Sequence, residues 1–172
     1  DVKTLRIRKG QGLVTEVYNA ECIDKLQGTG AIGHVRYSIG GVNGFENVQP
    51  LLFRSQNGDL AIAHNGNLTN SRALRGMLEE EGSIFQTAAD AEVLAHLAKR
   101  GGSGPLPKRV MKALQELEGA FAFVMLTEEA LYVALDPYGL RPLALGALGD
   151  GFVVASETCA FDLIGAEYVR DI

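Results

Sequence analysis

The sequence predicts an α+β domain in which helices pack on antiparallel sheets. The order of elements is the first indication. Short apolar runs bounded by turn residues come first, apolar residues at helical spacing fill the middle, and short apolar runs return after residue 120. Turn chemistry is the second: Asn57-Gly58 and Gly149-Asp150-Gly151 each separate two such runs, as hairpin connections do. Size is the third. A chain of 172 residues, 47% hydrophobic and 22% charged, suits one globular domain that buries roughly 70% of its unfolded surface.

Taken in order, residues 1–9 alternate, with Leu5 and Ile7 apolar beside Arg6 and Arg8, and predict a strand with one wet face. Gly10-Gln11-Gly12 breaks it. Residues 13–27 mix apolar and charged side chains and predict one or two short helical turns. Residues 30–37, Gly-Ala-Ile-Gly-His-Val-Arg-Tyr, predict a buried strand ending on two large polar side chains. Its glycines predict close approach by a neighbouring backbone. Gly40, Gly41 and Gly44 fall within residues 38–47 and mark a mobile or ligand-facing loop. Residues 51–54 and 59–63 are the next strands.

Asn70 is the N-cap of a helix over 70–81, with Ala73, Leu74, Met77 and Leu78 on one face and Gly82 as its stop. Asp90 precedes a second helix whose apolar side is Val93, Leu94 and Leu97. A third, residues 106–117, aligns Val110, Leu114 and Leu117. The period then changes. Residues 120–126 and 131–135 predict an antiparallel pair buried on at least one face, and 142–148 with 152–155 a second pair. Thr158 caps a short helix to Ile164, and residues 166–169 form the last strand.

Composition narrows the function classes. The net charge of −5 is dispersed, and the one small basic cluster, Lys3, Arg6, Arg8 and Lys9, reads as a solvated strand edge and not as a nucleic-acid footprint. No apolar run approaches the roughly 20 residues that span a bilayer. No charged leader with an apolar core is present, so the expected compartment is the cytoplasm. Two cysteines, Cys22 and Cys159, make neither a disulfide framework nor a zinc site. His34, His64 and His96 lack metal-ligand spacing, so no metal is expected in this chain.

Residues 61–67, Ala-Ile-Ala-His-Asn-Gly-Asn, concentrate the polar chemistry. A buried strand that ends in Asn65-Gly66 holds a side-chain amide beside a backbone N–H, the donor pair that an oxyanion needs in acyl transfer. The same dipeptide between apolar runs is also a strong type I′ hairpin signal. Arg36 ends an apolar strand beside a glycine-rich loop, and an arginine placed there meets a carboxylate of the protein or of a ligand. Asp90 reads first as a helix cap, although a carboxylate has about four lone-pair sites and can serve a second partner. If Arg36 and Asp90 face one cavity, they clamp the α-carboxylate and α-amino group of a free amino acid, with Asn65 and Gly66 over its reacting carbonyl. That constellation implies hydrolysis of a side-chain amide, and it lacks a nucleophile. His34 and His64 read as hydrogen-bonded structural histidines before general bases, and Cys22 and Cys159 as inert thiols.

These stretches together resemble a known family. His34-Val35-Arg36-Tyr37, Asn47-Val48-Gln49-Pro50 and residues 64–70 (His-Asn-Gly-Asn-Leu-Thr-Asn) match it in residue type and order, as do residues 87–92 (Thr-Ala-Ala-Asp-Ala-Glu). Residues 136–143 (Asp-Pro-Tyr-Gly-Leu-Arg-Pro-Leu) and 155–160 (Ala-Ser-Glu-Thr-Cys-Ala) complete the set. The chain is similar to the glutaminase domain of amidophosphoribosyltransferases, in the class II, N-terminal-nucleophile group of glutamine amidotransferases. The likeness runs from about residue 9 to 172. It implies a four-layer αββα sandwich of antiparallel sheets, incomplete at its N-terminus. It also implies an oxyanion hole from the Asn65 side chain and the Gly66 backbone, with Arg36 on the glutamine α-carboxylate and Asp90 on its α-amino group. The parent enzyme passes ammonia to phosphoribosyl pyrophosphate, forming 5-phosphoribosylamine in the first step of purine synthesis. L-glutamine is then the substrate, and a phosphoribosyltransferase domain of the same polypeptide the partner, in a homo-oligomer. Mg2+ and, in some relatives, an iron–sulfur cluster belong to that parent and not to this chain.

The chain departs from the family at two places. Family members open with a nucleophilic cysteine whose own α-amino group, of pKa near 8, serves as base, whereas position 1 here is Asp1. Ile39 stands where relatives often carry threonine. The expectation is an internal fragment that carries the binding half of the glutaminase site and does not hydrolyse glutamine. Two rivals remain: another class II amidotransferase such as glucosamine-6-phosphate synthase, and a degenerate domain that only binds glutamine or only stabilises a partner.

Overall fold

The computed structural model describes residues 4–36, 44–56 and 58–172. Alternation builds its central strands. In β3 (Gly119–Leu126), Phe121, Phe123 and Met125 are almost fully buried, and they pair with β2 (Leu60–Leu68), whose Ile62, His64 and Leu68 are buried too. Antiparallel pairing runs from Ala61↔Leu126 to Leu68↔Gly119 without a slip. With β1 (Leu51–Phe53) and β4 (Leu131–Leu135) outside them, the strands form a four-stranded antiparallel sheet of order β1-β2-β3-β4.

Three helices cover this sheet: α3 (Ser71–Glu80), α4 (Ala91–Arg100) and α5 (Leu106–Leu114). Leu78, Val93, Leu94, Leu97, Val110 and Ala113 meet Ile62, Phe121 and Phe123 in one core cluster. Truncating a buried phenylalanine such as Phe123 to Ala costs about 3–5 kcal/mol in such a setting. The second sheet has order β6-β5-β7, from β5 (Ala144–Leu148), β6 (Gly151–Ala155) and β7 (Glu167–Asp171). Helix α6 (Cys159–Ile164) packs against it through the buried Phe161. Two antiparallel sheets with helices packed on each make the α+β arrangement that the sequence predicts, consistent with the αββα sandwich that the resemblance implies.

Two buried carboxylates brace the connections. Glu92, 1% exposed, accepts the N–H groups of Gln86 and Thr87, each at 2.8 Å, and the Thr87 hydroxyl at 2.7 Å. It thereby ties the segment before α4 to the helix. Asp136, 3% exposed, accepts Phe121 N–H at 3.1 Å, Tyr138 N–H at 3.0 Å and Leu140 N–H at 3.1 Å. The loop after β4 is thus folded around one side chain. Burial pulls the Asp136 carboxyl up, but the N–H groups of Phe121, Leu140 and Tyr138 outweigh it and leave it below its ordinary value of 3.8.

Several sequence expectations change. Residues 4–9 and 30–36 are not strands. An alternating pattern becomes a strand only where an edge is available, and in residues 4–9 side chains hold the segment instead. Arg54 donates to Leu5 O at 3.3 Å and Tyr18 Oη to Arg8 O at 2.8 Å. Residues 13–27 do hold two short helices, α1 (Val14–Val17) and α2 (Ala20–Asp24). Asn70 stands at the N-cap position of α3 without capping it. Its amide donates to Glu116 O at 2.9 Å and its oxygen accepts Glu118 N–H at 3.1 Å, which joins α3 to the approach to β3. Thr158 likewise precedes α6 without a side-chain cap. Asn57 of the expected turn, most of the glycine-rich loop, Tyr37 and Ile39 lie outside the described residues.

Replacing Asp136 by Asn puts an NH2 group against backbone donors. Asp136→Asn is expected to lower the unfolding free energy at neutral pH by about 2 kcal/mol, the worth of hydrogen bonds to a charged group. The wild-type carboxyl has a depressed folded pKa, so its stabilisation is present above the unfolded value near 3.9 and is lost as pH falls through the folded value. Denaturant titrations from pH 7 to 3 should show the two proteins converging in acid; a constant gap would contradict this account.

Candidate active site

Asn65 and Gly66 lie in the middle of the nine-residue strand β2, opposite Ala122 and Phe121 of β3. The hairpin reading of Asn65-Gly66 is therefore overturned: the long β3 partner carries the strand through the dipeptide. Gly66 has φ +148, and a Cβ built there would fall 2.1 Å from Ala120 O and 2.8 Å from Phe121 Cα. Only glycine fits, because both obstacles are backbone atoms that cannot yield.

Ladder parity decides where the Gly66 N–H points. In an antiparallel strand, the N–H and C=O of one residue face the same neighbour, and those of the next residue face the opposite side. Phe121 spends both groups on Asp136, donating to Oδ2 and accepting Asp136 N–H at 2.9 Å. It is therefore not bonded to Gly66. The even-numbered residues of β2 turn their N–H groups to the β1 side, and β1 ends its pairing at Leu51↔Ile62. Beyond that point side chains replace the missing strand. His64 N–H donates to Gln49 Oε1 at 2.6 Å, and Leu68 N–H donates to Asp90 Oδ2 at 3.0 Å. The Gly66 N–H lies between these two closed donors and has no partner among the described residues. Asn65, one residue earlier, is exposed, so a side-chain amide and an open backbone donor stand side by side.

Asp90 is at the start of α4, yet its carboxylate makes no side-chain cap to its helix. It reaches β2 instead, where Oδ1 lies 3.0 Å from His64 Nδ1. Burial alone would raise the Asp90 carboxyl. The hydrogen bond and charge of His64, with the N–H groups of Leu68 and Ala91, outweigh it and hold the group below 3.8. The His64 ring stacks on Phe123, with centroids 4.4 Å apart and planes 15° apart.

A cavity of about 490 Å3 opens beside this edge. Its wall includes Arg36, His34, Gln49, Val48 and Tyr18, but not Asn65, Gly66 or Asp90. Gln49 joins the two regions, because its side chain holds His64 while the residue lines the cavity. Arg36 is exposed and has no ion pair among the described residues, so the protein carboxylate considered for it is not found there. Burial first, then the charges of His64 and Arg36, pushes the His34 imidazole below its ordinary 6.5.

Sequence reasoning missed the braces. Gln49 and Asn47 belong to a stretch read only for its family likeness, and both are buried. Asn47 Oδ1 accepts Ala88 N–H at 2.8 Å, which places the segment leading to Asp90. A polar residue inside the run Val48 to Leu52 was the available signal. The cysteines stand apart from this network: Cys22 is in α2, and Cys159 opens α6 on the second sheet. Among the described residues no cluster of three or more His, Cys, Asp or Glu side chains offers a metal site, and no helix is long and apolar enough to cross a membrane.

The fold belongs to a known class. The family pattern described as a glutamine amidotransferase domain matches residues 34–162, and the chain belongs to that family. Its similar relatives include amidophosphoribosyltransferases. The chain is 57% identical to the amidophosphoribosyltransferase of Bacillus subtilis, over 100% of this chain and 36% of that protein. It is 48% identical to the chloroplastic amidophosphoribosyltransferase 1 of Arabidopsis thaliana, over 99% of this chain and 30% of that protein. The solved structure of glutamine phosphoribosylpyrophosphate amidotransferase from B. subtilis, complexed with ADP and GMP, superposes with a TM-score of 0.93. That match is 57% identical and covers 99% of this chain and 37% of the other. The chain thus spans about a third of the length of the curated relatives it matches.

The depressed His34 pKa has a measurable sign. Between the folded value and 6.5 the unfolded chain holds more protons, so stability is complete above pH 6.5 and falls as pH drops. His34→Gln should flatten the dependence of the unfolding midpoint on pH below 6.5; identical slopes for variant and wild type would remove this explanation.

Proposed function

We propose that this chain is the glutamine-hydrolysing domain of an amidophosphoribosyltransferase. The observation that carries the reading is the open Gly66 N–H beside the Asn65 amide, with the flanking donors on the same edge closed by Gln49 and Asp90. A preorganised pair of donors is worth most where charge develops in the transition state, here on the amide oxygen of a bound glutamine. Arg36, exposed at the cavity wall, binds the α-carboxylate in a bidentate fork. Asp90 binds the α-amino group with the lone pairs that His64 and Leu68 leave free.

The nucleophile in this reading is the cysteine with which members of the group begin. Its thiolate attacks the side-chain carbonyl carbon, and the oxygen becomes an oxyanion held by Asn65 and Gly66. The C–N bond then breaks, and ammonia leaves with a proton from the cysteine's own α-ammonium group. Water hydrolyses the resulting thioester to glutamate. The ammonia goes to phosphoribosyl pyrophosphate in a phosphoribosyltransferase domain of the same polypeptide, giving 5-phosphoribosylamine for purine synthesis. The greater length of the relatives supports a second domain, and the reading implies a cytoplasmic homo-oligomer. Identities of 57% and 48% to amidophosphoribosyltransferases favour this acceptor over that of another class II enzyme. The 172-residue chain on its own is proposed to be silent, because Cys22 and Cys159 are both outside the network around Asn65.

A diazoketone mimic of glutamine tests both parts. Intact mass should show one adduct on a version extended to begin with cysteine and none on the 172-residue chain. An adduct on Cys22 or Cys159 would overturn the assignment. In the extended protein Asn65→Ala should lower kcat for glutamine by about 10²–10³-fold, as loss of one oxyanion donor does.

A further inference from the structure

We propose that His64 is a positioning residue for glutamine binding, which turns the Asp90 carboxylate from its own helix toward the substrate. This rests on the proposed role of Asp90. A carboxylate at the first position of a helix ordinarily accepts N–H bonds from that helix. Asp90 makes no side-chain cap bond and, besides the adjacent Ala91 N–H, its two oxygens take His64 Nδ1 at 3.0 Å and Leu68 N–H at 3.0 Å. The Asp90 side chain stays 24% exposed while that of His64 is 2% exposed, so the histidine supports the carboxylate from behind and leaves its outer side open.

His64 is itself held at three points. Gln49 takes its N–H at 2.6 Å, Phe123 stacks on its ring, and Asp90 takes Nδ1. A ring gripped in this way has one orientation to offer. Its other ring nitrogen does not fit a purely structural purpose: Nε2 is buried without a partner among the described residues. A buried unpaired polar atom costs about 1–3 kcal/mol. Phenylalanine would fill the same slot against Phe123 without that cost, so stability alone does not account for histidine here. The bond to Asp90 does.

The geometry also joins two tasks on one strand. His64 precedes Asn65, and Asp90 reaches past it to Leu68, so the amino-group site and the oxyanion donors share one rigid base. Loss of the His64 donor should reach the reaction through Asp90, in ground state and transition state alike. Such a loss raises KM and spares kcat.

The test uses the full-length enzyme, with glutamine and, separately, ammonia as the nitrogen source. His64→Phe removes the Nδ1 donor and keeps the ring. His64→Asn keeps an amide N–H near the Nδ1 position. His64→Phe is expected to raise the glutamine KM by about tenfold or more with kcat within about threefold, and His64→Asn to restore KM to within about threefold. Ammonia-dependent activity should be unchanged in both. If His64→Phe fails to fold, His64→Gln serves, because its longer amide reaches the Nε2 position and misses Asp90; the same rise in KM is expected. An unchanged KM, an equal rise in the Phe and Asn variants, or a loss confined to kcat would overturn the proposal. Wild-type enzyme that does not hydrolyse glutamine would instead refute the functional reading beneath it.

Discussion

The site depends on how one strand edge satisfies its backbone donors. Strand β2 outruns β1, and past Ile62 its even-numbered N–H groups have no strand to meet. Buried donors left open are costly, which is why nearly all are paired in native proteins. Here Gln49 and Asp90 close two of them and Gly66 stands between. Site geometry is therefore the remainder of an accounting of hydrogen bonds, with each closed donor fixing the position of the open one.

That edge is rigid because the rest of the molecule makes it so. Phe121, Phe123 and Met125 press β3 against three helices, and the uninterrupted register from residue 61 to 68 leaves β2 no freedom to slip. A one-residue slip would exchange His64 and Asn65 between the core face and the open face. The Ala120 carbonyl, 2.1 Å from any Cβ at position 66, enforces glycine from the neighbouring strand. Packing and chemistry thus impose the same residue for different reasons.

Acidic side chains serve as backbone clamps throughout. Glu92 gathers the segment before α4, Asp136 gathers the loop after β4, and Asp90 bridges α4 to β2. Each meets donors that a helix or strand end would otherwise leave unsatisfied. Asp136 has a second effect at a distance: by occupying both backbone groups of Phe121 it confirms the parity that turns Gly66 outward. The loop carrying residues 136–143, which the sequence marks only as a family motif, thereby bears on the Gly66 N–H two strands away.

Locally encoded features were legible in the residues alone. The helix beginning at Ser71, the pair 119–126 with 131–135, and the short helix ending at Ile164 follow from periodicity and turn residues. The residues of interest, Arg36, Asn65, Gly66 and Asp90, were legible because polar groups are conspicuous among apolar runs. Tertiary structure alone decided what they do to one another. Residues 4–9 and 30–36 read like strands but found no edge, and Asn65-Gly66 reads like a turn but is carried straight by β3. Asp90 reads like a cap but is turned toward β2. In each case the deciding partner is remote in sequence, 15 residues from Gln49 to His64 and 26 from His64 to Asp90. Propensity describes what a segment prefers alone, and the donors on an edge are assigned only when the neighbours are in place.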